Sequence, residues 1–231
     1  MMALEDDPSD LDALVRRVDP DRWLSSRFVA DPAARADLIA IYAYDYELAR
    51  APRTASNPLL GEIRLTWWRE VLDEIYEDRP VRRHPTAEAL AAAVRRRGLA
   101  RAPLEAMIDA RYRELEPEPM NLPEALAWAE GTGGAAAQAA AEVLDRSADA
   151  AAVRSAGSAW AIGRLMATAG LSGADSRAAL DAALAGARGV SVAAFPAVAH
   201  AALSRPRSKG KKVTGLTARI RLLLAVLRGR V

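Results

Sequence analysis

Between Leu65 and Asp78 the sequence reads LTWWREVLDEIYED, setting Glu70, Asp73, Glu74, Glu77 and Asp78 beside two tryptophans. Carboxylates at this density can hold magnesium against a diphosphate, provided that they converge on one cavity. On a helix turning about 100° per residue, Ile63, Trp67, Val71 and Ile75 form a ladder, with Leu60, Trp68 and Leu72 beside it. Glu62, Thr66, Glu70, Asp73 and Glu77 fall opposite, with Glu74 at the margin and Asp78 in the last turn. The spacing predicts a solvated acidic face behind an apolar one, not a metal cradle.

Other chemistry is thinly represented. There is no cysteine, which removes disulfides and thiolate metal sites. Two histidines, His84 and His200, are too few for a histidine-rich metal site, and His84 stands before a proline as a capping residue would. In YAYDYELAR, several of Tyr42, Asp45, Tyr46 and Arg53 share a helix face. Asp45 meets Ala49, not a base, four residues on, whereas Glu47 and Arg50 can pair across one turn. Arg50 and Arg53 are the first candidates to hold a phosphate-bearing lipid, with Arg64 third. Gly131, Gly133 and Gly134 in EGTGG match no phosphate-loop spacing and predict a helix break or a close helix contact. Ala159, Gly163 and Ala167, four apart, suit close helix packing.

The elements that must position these groups all read as helices. Asp31-Pro32 and Asn57-Pro58 each join an N-cap to a first-turn proline, and Asn121-Leu122-Pro123 is a looser version. Helices are expected over 10–18, 20–30, 32–50, 58–78, 86–97, 103–115, 123–145, 149–169, 174–187, 193–203 and 216–228. No stretch alternates as a strand would. Short links favour one all-α, single-domain bundle over 20–204, preceded by an acidic segment with a short helix (1–19) and followed by a basic tail (205–231).

Charge divides the chain. Nine Lys and Arg and no acid lie from Arg205 to Arg230, leaving 23 bases against 30 acids in residues 1–204. All three lysines, Lys209, Lys211 and Lys212, are in this tail. RPRSKGKKVTGL reads as a flexible segment. Behind it Leu216, Ile220, Leu223 and Leu227 form one helical stripe, with Arg219, Arg221 and Arg228 nearby. Such a helix can rest on an anionic bilayer or pack on the body. The tail has no aromatic residue and the body is acidic, which argues against nucleic acid. MMALEDDPSDLD lacks the apolar core of a signal peptide, and no run reaches the roughly 18–20 apolar residues of a bilayer span.

DRWLSSRFV, LIAIYAYDYELAR, LLGEIRLTWWREVLDEIYEDRPVRRHPTAEAL, WAEGTGG and AGSAWAIGRLMA, in that order, resemble the squalene/phytoene synthase superfamily, the head-to-head prenyltransferases. The resemblance runs from about Asp21 to Ser204 and implies the all-helical isoprenoid (terpenoid) synthase fold. Active members of that superfamily hold magnesium and prenyl diphosphate with two aspartate-rich motifs. At the corresponding positions this sequence has Ala49, Arg50 and Arg53, then Thr168 and Ser172, with Asp175 arriving late. A guanidinium placed where a magnesium ion would sit repels it. The stretch from ELAR to HP looks most like the mitochondrial complex I assembly factor branch and its bacterial relatives, which is regarded as non-catalytic. The resemblance therefore implies a pseudoenzyme without cofactor or metal ligands, an assembly or scaffolding protein with protein partners, respiratory-complex subunits among them. It would be cytoplasmic and peripheral on the inner face of the cell membrane. Two alternatives stay open. One is a transferase of isoprenoid biosynthesis that condenses two prenyl diphosphates on magnesium held by displaced acids. The other is a metal-independent module that binds an isoprenoid or a phospholipid.

Overall fold

Four helices open on a proline, and the residue before it caps three of them. The structure, a computed structural model, describes residues 10–53, 57–168, 171–210, 213 and 215–231. In order the helices are α1 (Leu11–Val18), α2 (Pro20–Ser26), α3 (Pro32–Arg53), α4 (Pro58–Tyr76), α5 (Pro85–Arg97), α6 (Arg101–Tyr112), α7 (Leu122–Ala129), α8 (Ala135–Leu144), α9 (Ala150–Thr168), α10 (Ala174–Gly186), α11 (Ser204–Ser208) and α12 (Gly215–Arg228). Tight 3-10 turns occupy Arg113–Leu115, Phe195–Ala197 and Ala199–Leu203, and a π turn spans Glu130–Gly134. There is no strand among the described residues.

The side chains of Asp19, Asp31 and Asn57 accept backbone N–H bonds from the first turns of α2, α3 and α4. Asn121 and Glu124 close a reciprocal cap on α7. His84 occupies the cap position of α5 without a capping bond; its ring instead stands edge-on to Trp67 and Trp68 at 5.6 and 5.3 Å.

α3 and α9 are the axes of the bundle. α3 packs against α1, α4, α5, α6 and α8, and α9 against α7, α8, α10, α11 and the π turn. α8 lies between them, and its buried alanines permit close approach on several sides. The glycines of EGTGG mark a close contact. The helix is not broken there but widened through the π turn. A Cβ on Gly133 would stand 2.5 Å from the Gly157 carbonyl of α9, and one on Gly157 would overlap the Gly133 carbonyl. Gly163 likewise lets α9 touch Ser204, with Ala159 buried above it, whereas Ala167 is exposed.

Three expectations need correction. On α4 the inward ladder is Gly61, Leu65, Trp68, Leu72 and Ile75, joined by Val71, while Ile63 and much of Leu60 face solvent. Gly61 faces inward in this rotation: a Cβ there would overlap the Leu115 side chain and come into ordinary contact, at 3.5 Å, with the Ala51 carbonyl oxygen and the Pro52 Cα of α3. The same rotation buries Glu74, which binds Arg82 at 2.7 Å, whereas Glu70, Glu77 and Asp78 are exposed and Asp73 is half-buried. The second correction concerns 193–203, which is a pair of 3-10 turns rather than a helix; Pro196 brings no N–H to an α ladder. The third lies in the tail, where Ser204–Ser208 is helical and held to the body. Arg207 bonds Asp21 at 2.5 and 2.7 Å, and Arg205 bonds Asp181.

Candidate functional site

α3 runs through Pro52 to Arg53, so Tyr42, Asp45, Tyr46, Ala49 and Arg53 form one continuous stripe. The stripe makes one wall of a cavity of about 440 Å³. Asp19 and Arg22 at the start of α2 and Arg111 and Glu114 at the end of α6 close it on two sides. Trp128 and Thr132 come from α7 and the π turn, and Trp160, Arg164 and Thr168 from α9. Three residues marked by the motif comparison, Ala49, Arg53 and Thr168, thus stand around one cavity.

The charged groups of this cavity alternate in sign along a single chain. Arg164 approaches Asp19 at 3.7 Å, Asp19 approaches Arg22 at 3.6 Å, and Arg22 bonds Asp45 at 2.5 Å. Asp45 accepts from Arg111 at 2.8 Å, Arg111 donates to Glu114 at 2.6 Å, and Glu114 lies 3.9 Å from Arg53. Both ends are arginines in partial contact with solvent, one on each axial helix. Trp128 also donates its indole N–H to Glu114 at 2.9 Å. Trp160 is flanked by Arg22 at 4.1 Å and Arg164 at 4.6 Å from its ring centre.

Burial and partners push these groups in opposite directions. Burial alone would raise the Asp45 carboxyl, but Arg111 and Arg22 outweigh it and hold the group well below the usual carboxylate range. Asp19 is raised, because burial prevails over the more distant Arg22 and Arg164. Tyr42 is raised by burial and stays a neutral phenol. Behind Trp160 lies His200, fully buried, 5.3 Å from that ring, with neither ring nitrogen hydrogen-bonded. Burial, then the Arg22 and Arg164 charges, lower it well below its ordinary value, so it is a neutral imidazole near pH 7.

The remaining candidates lie elsewhere. Arg50 and Arg64 line a separate groove of about 350 Å³ between α3 and α4, with Ile63, Trp67 and His84. Arg50 there pairs with Glu47 at 3.1 Å. Ser172 and Asp175 border a cleft of about 630 Å³ that also holds Glu114, Glu116 and Glu118. Among the described residues no three Asp, Glu or His come together as metal ligands do. Arg219, Arg221, Leu223 and Leu227 are exposed on α12 and Lys209 on the turn after α11; Lys211 and Lys212 lie outside the described residues.

Sequence reasoning missed most of the cavity's charge. Asp45 lacks a base one turn away on its own helix, but Arg22, 23 residues earlier, and Arg111, 66 later, supply two. Arg22 in DRW and Arg164 in AIGR carry no local pairing signal of their own. The arginine four residues after Trp160 was the available signal for a charge on that wall.

The sequence profile described as squalene/phytoene synthase matches residues 15–193. A dehydrosqualene synthase crystal structure superposes with a TM-score of 0.72 at 12% identity, covering 95% of this chain and 94% of that one. The squalene synthase HpnC of Alicyclobacillus acidocaldarius superposes with a TM-score of 0.59 at 15% identity, covering 95% and 92%. At these identities the likeness is one of fold. Among curated proteins, NADH dehydrogenase (ubiquinone) complex I, assembly factor 6 is 33% identical over 121 residues in Bos taurus and 31% in Homo sapiens. Each match takes in 52% of this chain and 35% of the relative, so the chain aligns with about a third of the relatives' length.

Proposed function

This chain belongs to the squalene/phytoene synthase family, and within it we propose a non-catalytic assembly or scaffolding protein, working beside a membrane and connected with respiratory complex I. The observation that carries the reading is the state of the cavity's carboxylates. Magnesium needs several oxygen ligands in a near-octahedral set. Both oxygens of Asp45 are already taken by Arg22 and Arg111, and Glu114 is shared by Arg111 and Trp128. A metal would have to enter among four arginines, and it would be repelled by each. This donor set does not suit a magnesium–diphosphate cluster. The resemblance to assembly factor 6 supports the partner class.

Two measurements test the halves separately. Purified protein given magnesium and farnesyl or geranylgeranyl diphosphate is expected to release no condensed product; turnover would overturn the non-catalytic half. Deleting the gene in its host is expected to lower assembled complex I, and an unchanged level would remove the assembly half.

Arg22 favours a second reading. Its Nε and Nη2, and the Nε of Arg111, are buried without an acceptor in a cavity with aromatic walls. An isoprenoid or phospholipid phosphate can supply those oxygens without metal. Binding of a prenyl phosphate should then survive chelation by EDTA, and loss of binding with the chelator would count against it.

A further inference from the structure

The last helix is buried on one side and bare on the other. Ala218, Leu222 and Ala225 of α12 are buried, and the helix packs on the 199–203 turn and on α2. On the far side Leu216, Ile220, Leu223 and Leu227 are 70%, 50%, 48% and 73% exposed. At about 100° per residue these four fall within one narrow sector. A continuous strip of long aliphatic side chains on a helix that is otherwise docked marks a contact surface.

The charges around the strip identify what it meets. By the same spacing Arg219 borders it on one side, and Arg221 and Arg228 lie on the other. All three are exposed. No acid occurs from Arg205 to the C-terminal end of the sequence. Arg205 and Arg207 serve the body through Asp181 and Asp21, so the α12 arginines are the ones turned outward. Apolar side chains flanked on both sides by one sign of charge, with Thr217 the only uncharged polar side chain on the helix, offer little directional recognition. They suit a partner that is apolar within and anionic at its surface. Among the described residues no helix is long and apolar enough to cross a membrane. From Leu216 to Leu227 the stripe covers only about 17 Å of helix, against a hydrocarbon core of about 30 Å.

We propose that the outer face of α12 is the docking surface for an anionic lipid bilayer, with the helix lying in the headgroup plane and the domain held against it. The leucines reach the acyl boundary while the arginine stems bend back to the lipid phosphates. Because α12 packs on α2, which carries Arg22, docking orients the central cavity relative to the membrane. This deepens the functional reading above and rests on it only for the membrane setting.

The test uses the full chain in flotation with vesicles of phosphatidylcholine alone or mixed with phosphatidylglycerol. Mixed vesicles are expected to bind at least about tenfold more protein at low salt, each surface base contributing about fivefold, and less as salt rises. L223E/L227E should reduce binding to the neutral-vesicle level. Removing Arg219, Arg221 and Arg228 as alanines should abolish the anionic preference. Both variants alter exposed side chains, so their circular dichroism and melting should match the parent. Equal binding to both vesicle types, or undiminished binding by L223E/L227E, would overturn the proposal. So would a parent dimer that L223E/L227E converts to monomer, because a second copy would then cover the stripe. Vesicle binding with normal complex I after gene deletion would sink the assembly role and leave the docking surface standing.

Discussion

Asp45 holds two buried guanidinium groups at once, and its removal would leave both without their shared counter-charge. Asp45→Ala is expected to destabilise the fold by about 3–5 kcal/mol, read as a shift in a urea transition. Arg53 stands at the solvent end of the same chain of charges, 3.9 Å from Glu114. Arg53→Ala should therefore cost no more than about 1 kcal/mol. Similar losses for the two would mean that the alternation in sign carries no energetic gradient. His200 makes a separate prediction. Its folded value is depressed from the ordinary 6.5, so the unfolded chain binds the extra proton as pH falls below 6.5. Stability then declines with acid by up to about 1.4 kcal/mol per pH unit. Asp45, also depressed, loses its contribution only at lower pH, through the carboxylate range, while raised Asp19 acts in the opposite direction. His200→Phe keeps an aromatic ring against Trp160 and removes only the proton. It should flatten the melting temperature between about pH 6.5 and 5, where the parent declines.

Between elements, small residues decide how close the axes come. α9 and the π turn cross where the Gly133 and Gly157 backbones touch, and there is no room for a methyl group on either side. Gly157→Ala should cost about 1–3 kcal/mol despite alanine's better helix propensity, measured by thermal melting. A neutral or stabilising result would mean that the crossing has room for a methyl group. On α4 the covered face is likewise a matter of packing between elements. Apolar spacing allowed two neighbouring ladders, one through Ile63 and Trp67 and one through Leu65 and Trp68, and periodicity does not choose between them. Packing in the folded chain buries the second, with Gly61 beneath the Leu115 side chain. The displaced Ile63 and Trp67 then border the groove that holds Arg50 and Arg64.

At the scale of the whole molecule one core runs from Val15 in α1 to Ala225 in α12. Tryptophan fluorescence and helical circular dichroism should therefore report the same urea midpoint, since Trp68 and Trp160 sit in that core and Trp23 packs against it. Two resolved transitions would mean that part of the chain unfolds independently of the rest. Helix identity was legible because caps, prolines and apolar periodicity are local, acting within a few residues. The position of the cavity was legible in part: the resemblance marked Ala49, Arg53 and Thr168, and all three stand on its wall. Its chemistry was not. Asp45 reads along the chain as an acid with no base on its helix, yet it is the centre of a network assembled from α2, α3, α6 and α9. The tail divides in the same way. Sequence alone determined that α12 would carry an aliphatic stripe with arginines beside it, because those residues are fixed relative to one another by the helix. Only the tertiary structure decided that Ala218, Leu222 and Ala225 face the body and that the stripe faces outward. Which side of a helix is covered depends on surfaces far away in the chain, and no local spacing carries that information.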